Sequence, residues 1–154
     1  MKRSKKARKS TKSSNARVSW KLAPDIKKRS HELIVQFDLN WIRFERIFFY
    51  RSVNSKAKAY ARAWGLPKLW QRSLKVEPSY MIEVLSEHFD KLSEIEQDKI
   101  ILHELSHIPK TFSGALLPHT RHAKGSFHDK LETLLKNYHA EKGKKKFSMF
   151  KINL

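Results

Sequence analysis

The sequence predicts an α+β fold. Apolar residues recur at helical spacing over residues 24–37, β-branched and aromatic residues concentrate over 41–53 and 80–85, and a capped helix runs from Ser93 to a stop at Pro109. At 154 residues the chain forms one domain, long enough to bury a core. The expected order is an N-terminal helix, a small three-stranded sheet, the capped helix and a C-terminal helix.

Each element has a local reason. Residues 1–17 hold eight Lys or Arg and no acid, with Ser, Thr and Asn between them, which predicts a disordered basic arm before a domain over 18–141. The first helix, 24–37, turns Ile26, Leu33, Ile34 and Phe37 toward the core. Residues 41–53 read as a first strand, with Ile42, Phe44, Ile47 and Phe49 apolar. Residues 56–64 read as a second strand, although their alanines equally suit a helix. Gly65 and Pro67 make 64–70 a turn-rich connection. Met81, Ile82 and Val84 form a third strand over 80–85, after a Pro-Ser turn.

Ser93 followed by Glu96 is a capping box, so a helix starts just before Glu94. Ile95, Ile100, Ile101, Leu102, Leu105 and Ile108 supply its apolar side, and Pro109 ends it by pushing its predecessor out of the α region. Gly114 and Pro118 mark a turn that brings the chain back over this helix. From His119 a second helical pattern carries Phe127, Leu131, Leu134, Leu135 and Tyr138. Residues 142–154 form a basic tail whose Phe147, Met149, Phe150 and Ile152 pack back on the domain. There is no internal repeat.

Composition narrows the function classes. The absence of cysteine removes both a disulfide framework and thiolate ligation of zinc. No apolar run approaches the roughly 18 residues of a membrane span, and no apolar segment follows the basic N-terminus as in a secretory signal. A soluble, cytoplasmic monomer is expected. The net charge is +18, and residues 1–17 contribute +8, leaving +10 on the remainder. Such a field favours nucleic acid, bound without sequence preference through phosphate neutralisation. Trp20, Trp41, Trp64 and Trp70 are able to stack on bases, although aromatic residues in a small domain are more often core.

The chemistry concentrates in His103-Glu104-Leu105-Ser106-His107, an HExxH run inside the capped helix. Residues four apart share a helix face, so both imidazoles reach one metal ion, and Glu104 stands where a carboxylate takes a proton from a metal-activated water. The bland alternative is a solvated helix face that happens to carry two histidines. Catalytic zinc takes three protein ligands. His119 is the leading candidate for the third and His122 the runner-up, while His128 and His139 read as ordinary surface histidines. Arg121, His122 and Tyr60 are candidate oxyanion donors.

The run HELSHIPKTFSGALLPH, residues 103–119, resembles the signature of the phage and archaeal metallopeptidases, small zincin-like proteins. The stretch RSVNSKAKAYARAW at 51–64 also resembles that family, as does PSYMIEVLS at 78–86 followed by FDKLS at 89–93. The likeness spans about 41–138. It implies a compact zincin-like layout, Zn²⁺ held by His103, His107 and His119, Glu104 as the catalytic residue, and a polypeptide substrate. In that layout a peptide adds to the sheet edge near the metal, with 56–64 the candidate edge strand. A more distant similarity is to the SprT-like proteases, which digest proteins crosslinked to DNA.

Three functions are therefore open. One is a zinc-dependent peptidase acting on proteins near nucleic acid. Another is a basic nucleic-acid-binding protein whose metal is structural, with His122 as a fourth ligand. In the last, HExxH is incidental and no metal binds.

Overall fold

A computed structural model of the protein describes residues 17–118, 133 and 135–140. The elements are β1 (Ser19–Leu22), α1 (Pro24–Gln36), β2 (Ile47–Val53), β3 (Ala61–Gly65), α2 (Lys68–Leu74), β4 (Tyr80–Leu85), α3 (Ser86–Phe89) and α4 (Glu94–Ser106). The strands make one mixed sheet in the order β1-β2-β4-β3. β2 and β4 run parallel at its centre, and β1 and β3 add antiparallel at the two edges.

The fold is α+β as expected, but the sheet has four strands rather than three. The extra strand, β1, is four residues long and exposed throughout, so it carries no burial pattern of its own. It exists because it pairs with β2, with Trp20 opposite Ser52 and Leu22 opposite Tyr50. The first expected strand is shortened from 41–53 to Ile47–Val53, because a tight helical turn, Phe44–Arg46, precedes it. The second shrinks from 56–64 to Ala61–Gly65, and the third stands at Tyr80–Leu85 as read.

The connection expected at 64–70 contains a helix, α2, with Pro67 as its N-cap. Lys, Leu, Gln and Arg all favour helix, and proline before the first turn does not oppose it. The Gln71 side chain anchors this helix by donating to the Leu66 carbonyl at 2.7 Å and the Ser113 carbonyl at 2.9 Å.

One face of the sheet holds the core. Ile47, Phe49, Tyr80, Ile82, Val84 and Ala61 cluster with Ile26, Leu33 and Ile34 of α1 and with Ile101, Leu102 and Leu105 of α4. α1 starts with Pro24 in its first turn and Asp25 beside it, both suited to a helix N-terminus. α4 starts with the capping box read from Ser93 and Glu96. Arg29 clamps the two helices. Its guanidinium donates to the Asp98 carboxylate, to Gln97 Oε1 at 2.9 Å and to the Glu94 carbonyl at 2.5 Å.

Residues 133 and 135–140 are helical, in keeping with the expected C-terminal helix. Leu135 is buried, and the Tyr138 ring meets Phe37 edge-on at 6.0 Å. His139 is not a surface histidine. Its side chain is largely buried, with Nε2 2.8 Å from Asp98 Oδ2. The reason is tertiary: Asp98 is itself buried, and the C-terminal helix brings it a second partner beside Arg29. The expectations for the basic arm, for residues 119–132 and for the basic tail fall outside the described residues. Among the described residues no helix is long and apolar enough to cross a membrane.

Candidate active site on the HExxH helix

The last turns of α4 carry the candidate residues, with His107 as the helix C-cap. His103 and His107 present their rings to one another at a centroid distance of 4.9 Å, tilted by 83°. Their Nε2 atoms stand 3.3 Å apart. His107 Nδ1 lies 2.8 Å from the Leu117 carbonyl oxygen. A carbonyl only accepts, so Nδ1 carries the hydrogen, and Nε2, the atom that faces His103, is the ring nitrogen available to a metal.

That arrangement suits a metal. Two imidazole lone pairs this close repel unless a proton or a cation lies between them. Two nitrogens bound to one tetrahedral zinc at about 2.0–2.1 Å stand about 3.3 Å apart. A carbonyl on the far ring nitrogen also fixes the tautomer and orientation of a ligating histidine.

The loop that supplies this carbonyl is held from several sides. Phe112 and Gly114 take positive φ, 45° and 88°, and turn the chain back after Pro109. The Phe112 ring packs edge-on against Tyr80 at 4.8 Å. The Tyr80 hydroxyl accepts from the Gly114 N–H at 2.7 Å and donates to the Ala115 carbonyl at 3.0 Å. Burial raises the Tyr80 phenol above its ordinary pKa, outweighing the hydrogen bond from Gly114. A side chain at Gly114 would collide with the Leu66 carbonyl and the Gln71 amide, and one at Gly65 with the Gly114 carbonyl. The loop then reaches Leu117, whose N–H donates to the His107 carbonyl at 2.8 Å. Leu117 therefore grips His107 through both of its own backbone groups.

A cleft of about 330 Å³ opens beside the helix. Glu104 and His107 form one wall, Ala61, Arg62 and Ala63 of β3 the facing wall, and Leu116 and Leu117 the third side. β3 pairs only with β4 among the described strands, so it is an edge strand. Glu104 and His107 are both buried.

The structure thus brings His103, Glu104 and His107 together. His119, two residues past Leu117, and His122 lie outside the described residues, and among those described no group of three His, Cys, Asp or Glu side chains could hold a metal. Arg121 also lies outside. Tyr60 is exposed, with its ring against His88 at 5.9 Å, and does not line the cleft. Sequence reasoning missed the Leu117 carbonyl, the Tyr80 hydroxyl and Gln71. Gly114 and Pro118 signalled the turn, but nothing in a backbone carbonyl's residue type reveals its use.

A helix bearing two imidazoles and a carboxylate, set across a cleft from an edge strand, supplies the parts from which metal-dependent hydrolases are assembled. The chain belongs to the family described as "Putative phage metallopeptidase", whose model matches residues 18–151. Membership implies a metal ion and a polypeptide substrate. No curated protein and no solved structure matches the chain.

Proposed function

We propose that the protein is a zinc-dependent peptidase of zincin-like layout, with His103, His107 and His119 holding the metal and Glu104 as general base. The observation that carries this reading is the Nε2 pair at 3.3 Å, together with the Leu117 carbonyl on the far nitrogen of His107. His119 is preferred to His122 because it follows by only two residues Leu117, whose backbone is bonded to His107. Imidazole ligands suit zinc among the divalent metals. A bound zinc would lower the pKa of a water molecule toward 7 and polarise the scissile carbonyl.

The chain's own residues do the rest. The edge strand β3 receives an extended peptide as an added strand, which sets its carbonyl beside the HExxH helix. Glu104 lines the same cleft and accepts the proton of the attacking water on its carboxylate. It then returns that proton to the amine as the C–N bond breaks. The return loop keeps His107 in one tautomer throughout.

Metal content of the untagged protein and proteolysis of an unfolded polypeptide test this together. About one zinc per chain and chelator-sensitive cleavage are expected. Glu104→Gln is expected to keep the zinc and lose at least 100-fold in kcat. Retained turnover in that variant removes Glu104 from the mechanism, and a chain that takes up no zinc removes the peptidase reading. The charge of +18 supports contact with nucleic acid as well, so the substrates we infer are proteins associated with it.

A further inference from the structure

The sheet face turned away from α1 and α4 carries three exposed aromatic rings. Trp20 on β1, Phe48 on β2 and Trp64 on β3 are 61%, 48% and 49% exposed. Strand register places all three on one side, with Trp20 beside Ser52 while Phe48 and Trp64 flank Met81 from opposite strands. Glu83 lies among them on β4 and is buried. Its two carboxylate oxygens accept one indole each, Trp20 Nε1 at 3.0 Å and Trp64 Nε1 at 2.9 Å.

This carboxylate sets the posture of the rings. β2 lies between β1 and β4, and Trp20 is level with Leu85 through Ser52, so its backbone stands roughly 12 Å from that of Glu83. Trp20 reaches Glu83 only by laying its indole across the sheet rather than standing off it. Trp64 is tied to the same group from the other edge. With both N–H groups engaged, what remains for a partner is the flat π surface of rings already fixed in place. Bases stack on such surfaces with little ordering cost.

Charge selects the occupant. The eight Lys and Arg of residues 1–17 run directly into β1, and Arg17 stands only three residues before Trp20. A polyanion is thus the occupant that the charge favours. We propose that this outer face binds single-stranded nucleic acid, with bases stacked on Trp20, Trp64 and Phe48. Duplex bases are already stacked inside the helix and do not reach a sheet. Because stacking does not involve the sugar, DNA and RNA bind alike. The inference rests on the nucleic-acid reading of the charge and is independent of the catalytic one.

The test uses the full chain and labelled oligothymidine and oligouridine of roughly 16 nucleotides, with duplex DNA beside them, read by fluorescence anisotropy. Single strands are expected to bind more tightly than duplex. Trp20→Ala and Trp64→Ala should each weaken binding about 5- to 150-fold, with partial recovery in the Phe variants. Changing Lys2, Arg3, Lys5, Lys6, Arg8, Lys9 and Lys12 to Gln should flatten the salt dependence, by a slope of about 0.7 for each phosphate that is no longer neutralised. In the unaltered protein, the single strand should quench tryptophan fluorescence more than duplex does, which needs no variant to fold. Folded Ala variants that bind as the parent overturn the platform and leave the charge reading standing. No oligonucleotide binding at all overturns both. Self-association that Trp20→Ala abolishes, with no effect on oligonucleotides, overturns the proposal in favour of a second copy as occupant.

Discussion

Replacing Tyr80 by Phe deletes one oxygen atom, and with it the acceptor that ties the buried Gly114 N–H to the sheet. The ring remains against Phe112, so the apolar packing is unchanged. What changes is that a buried donor loses its acceptor, which costs about 1–3 kcal/mol; the Ala115 carbonyl lies nearer the surface and recovers part of its loss from water. At about 2 kcal/mol, Tm should fall by roughly 4–8 °C for a chain of this size. Urea unfolding followed by circular dichroism measures the loss directly.

The same substitution has a pH signature. The folded phenol titrates above its unfolded value because burial disfavours the phenolate. Its contribution to stability is therefore complete below the unfolded value of about 10 and is lost as pH rises from there through the folded pKa. Tyr80→Phe should remove that alkaline decline. Since the loop also carries Leu117, zinc affinity should fall about 10-fold, the range seen when partners behind a ligating histidine are disturbed. An unchanged urea midpoint with an unchanged alkaline limb refutes the claim that Tyr80 holds the return loop.

Asp98→Asn leaves the Arg29 guanidinium beside a neutral amide and removes the charge facing His139, so a loss of about 3 kcal/mol is expected in urea unfolding. Gly114→Ala meets both a φ of +88° and two close neighbours, and should cost about 1–3 kcal/mol together with weaker zinc uptake in a competition titration. Burial alone would raise the Asp25 carboxyl, but the hydrogen bonds and charge of Arg51, at 2.9 and 3.2 Å, outweigh it and hold the pKa low. Its contribution is present above the unfolded carboxylate value of about 3.9 and is lost as pH falls below it, so Asp25→Asn should flatten the acid limb of a stability–pH profile.

Much of the site was legible because it is written in short range. HExxH needs only the four-residue repeat of a helix, and Ser93, Glu96 and Pro109 bound that helix by local rules. Tyr80–Leu85 was read in full, since a buried central strand shows an apolar run between turn residues. β1 and α2 were not legible. One is exposed and exists through its pairing, and the other is a short helix pinned by Gln71 to the return loop.

The residue order by itself determined the α+β class, the HExxH helix with its imidazole pair, and the charge of +18, because periodicity, capping and composition act over a few residues or over none. Tertiary structure alone decided that β3 is an edge strand facing Glu104, that Leu117 orients His107, that Asp98 pairs with both Arg29 and His139, and that Glu83 lays two tryptophans across one sheet face. These interactions join residues 10 to 69 positions apart. Spacing along the chain says nothing about them, since they form only once the sheet order and the packing of α4 are set.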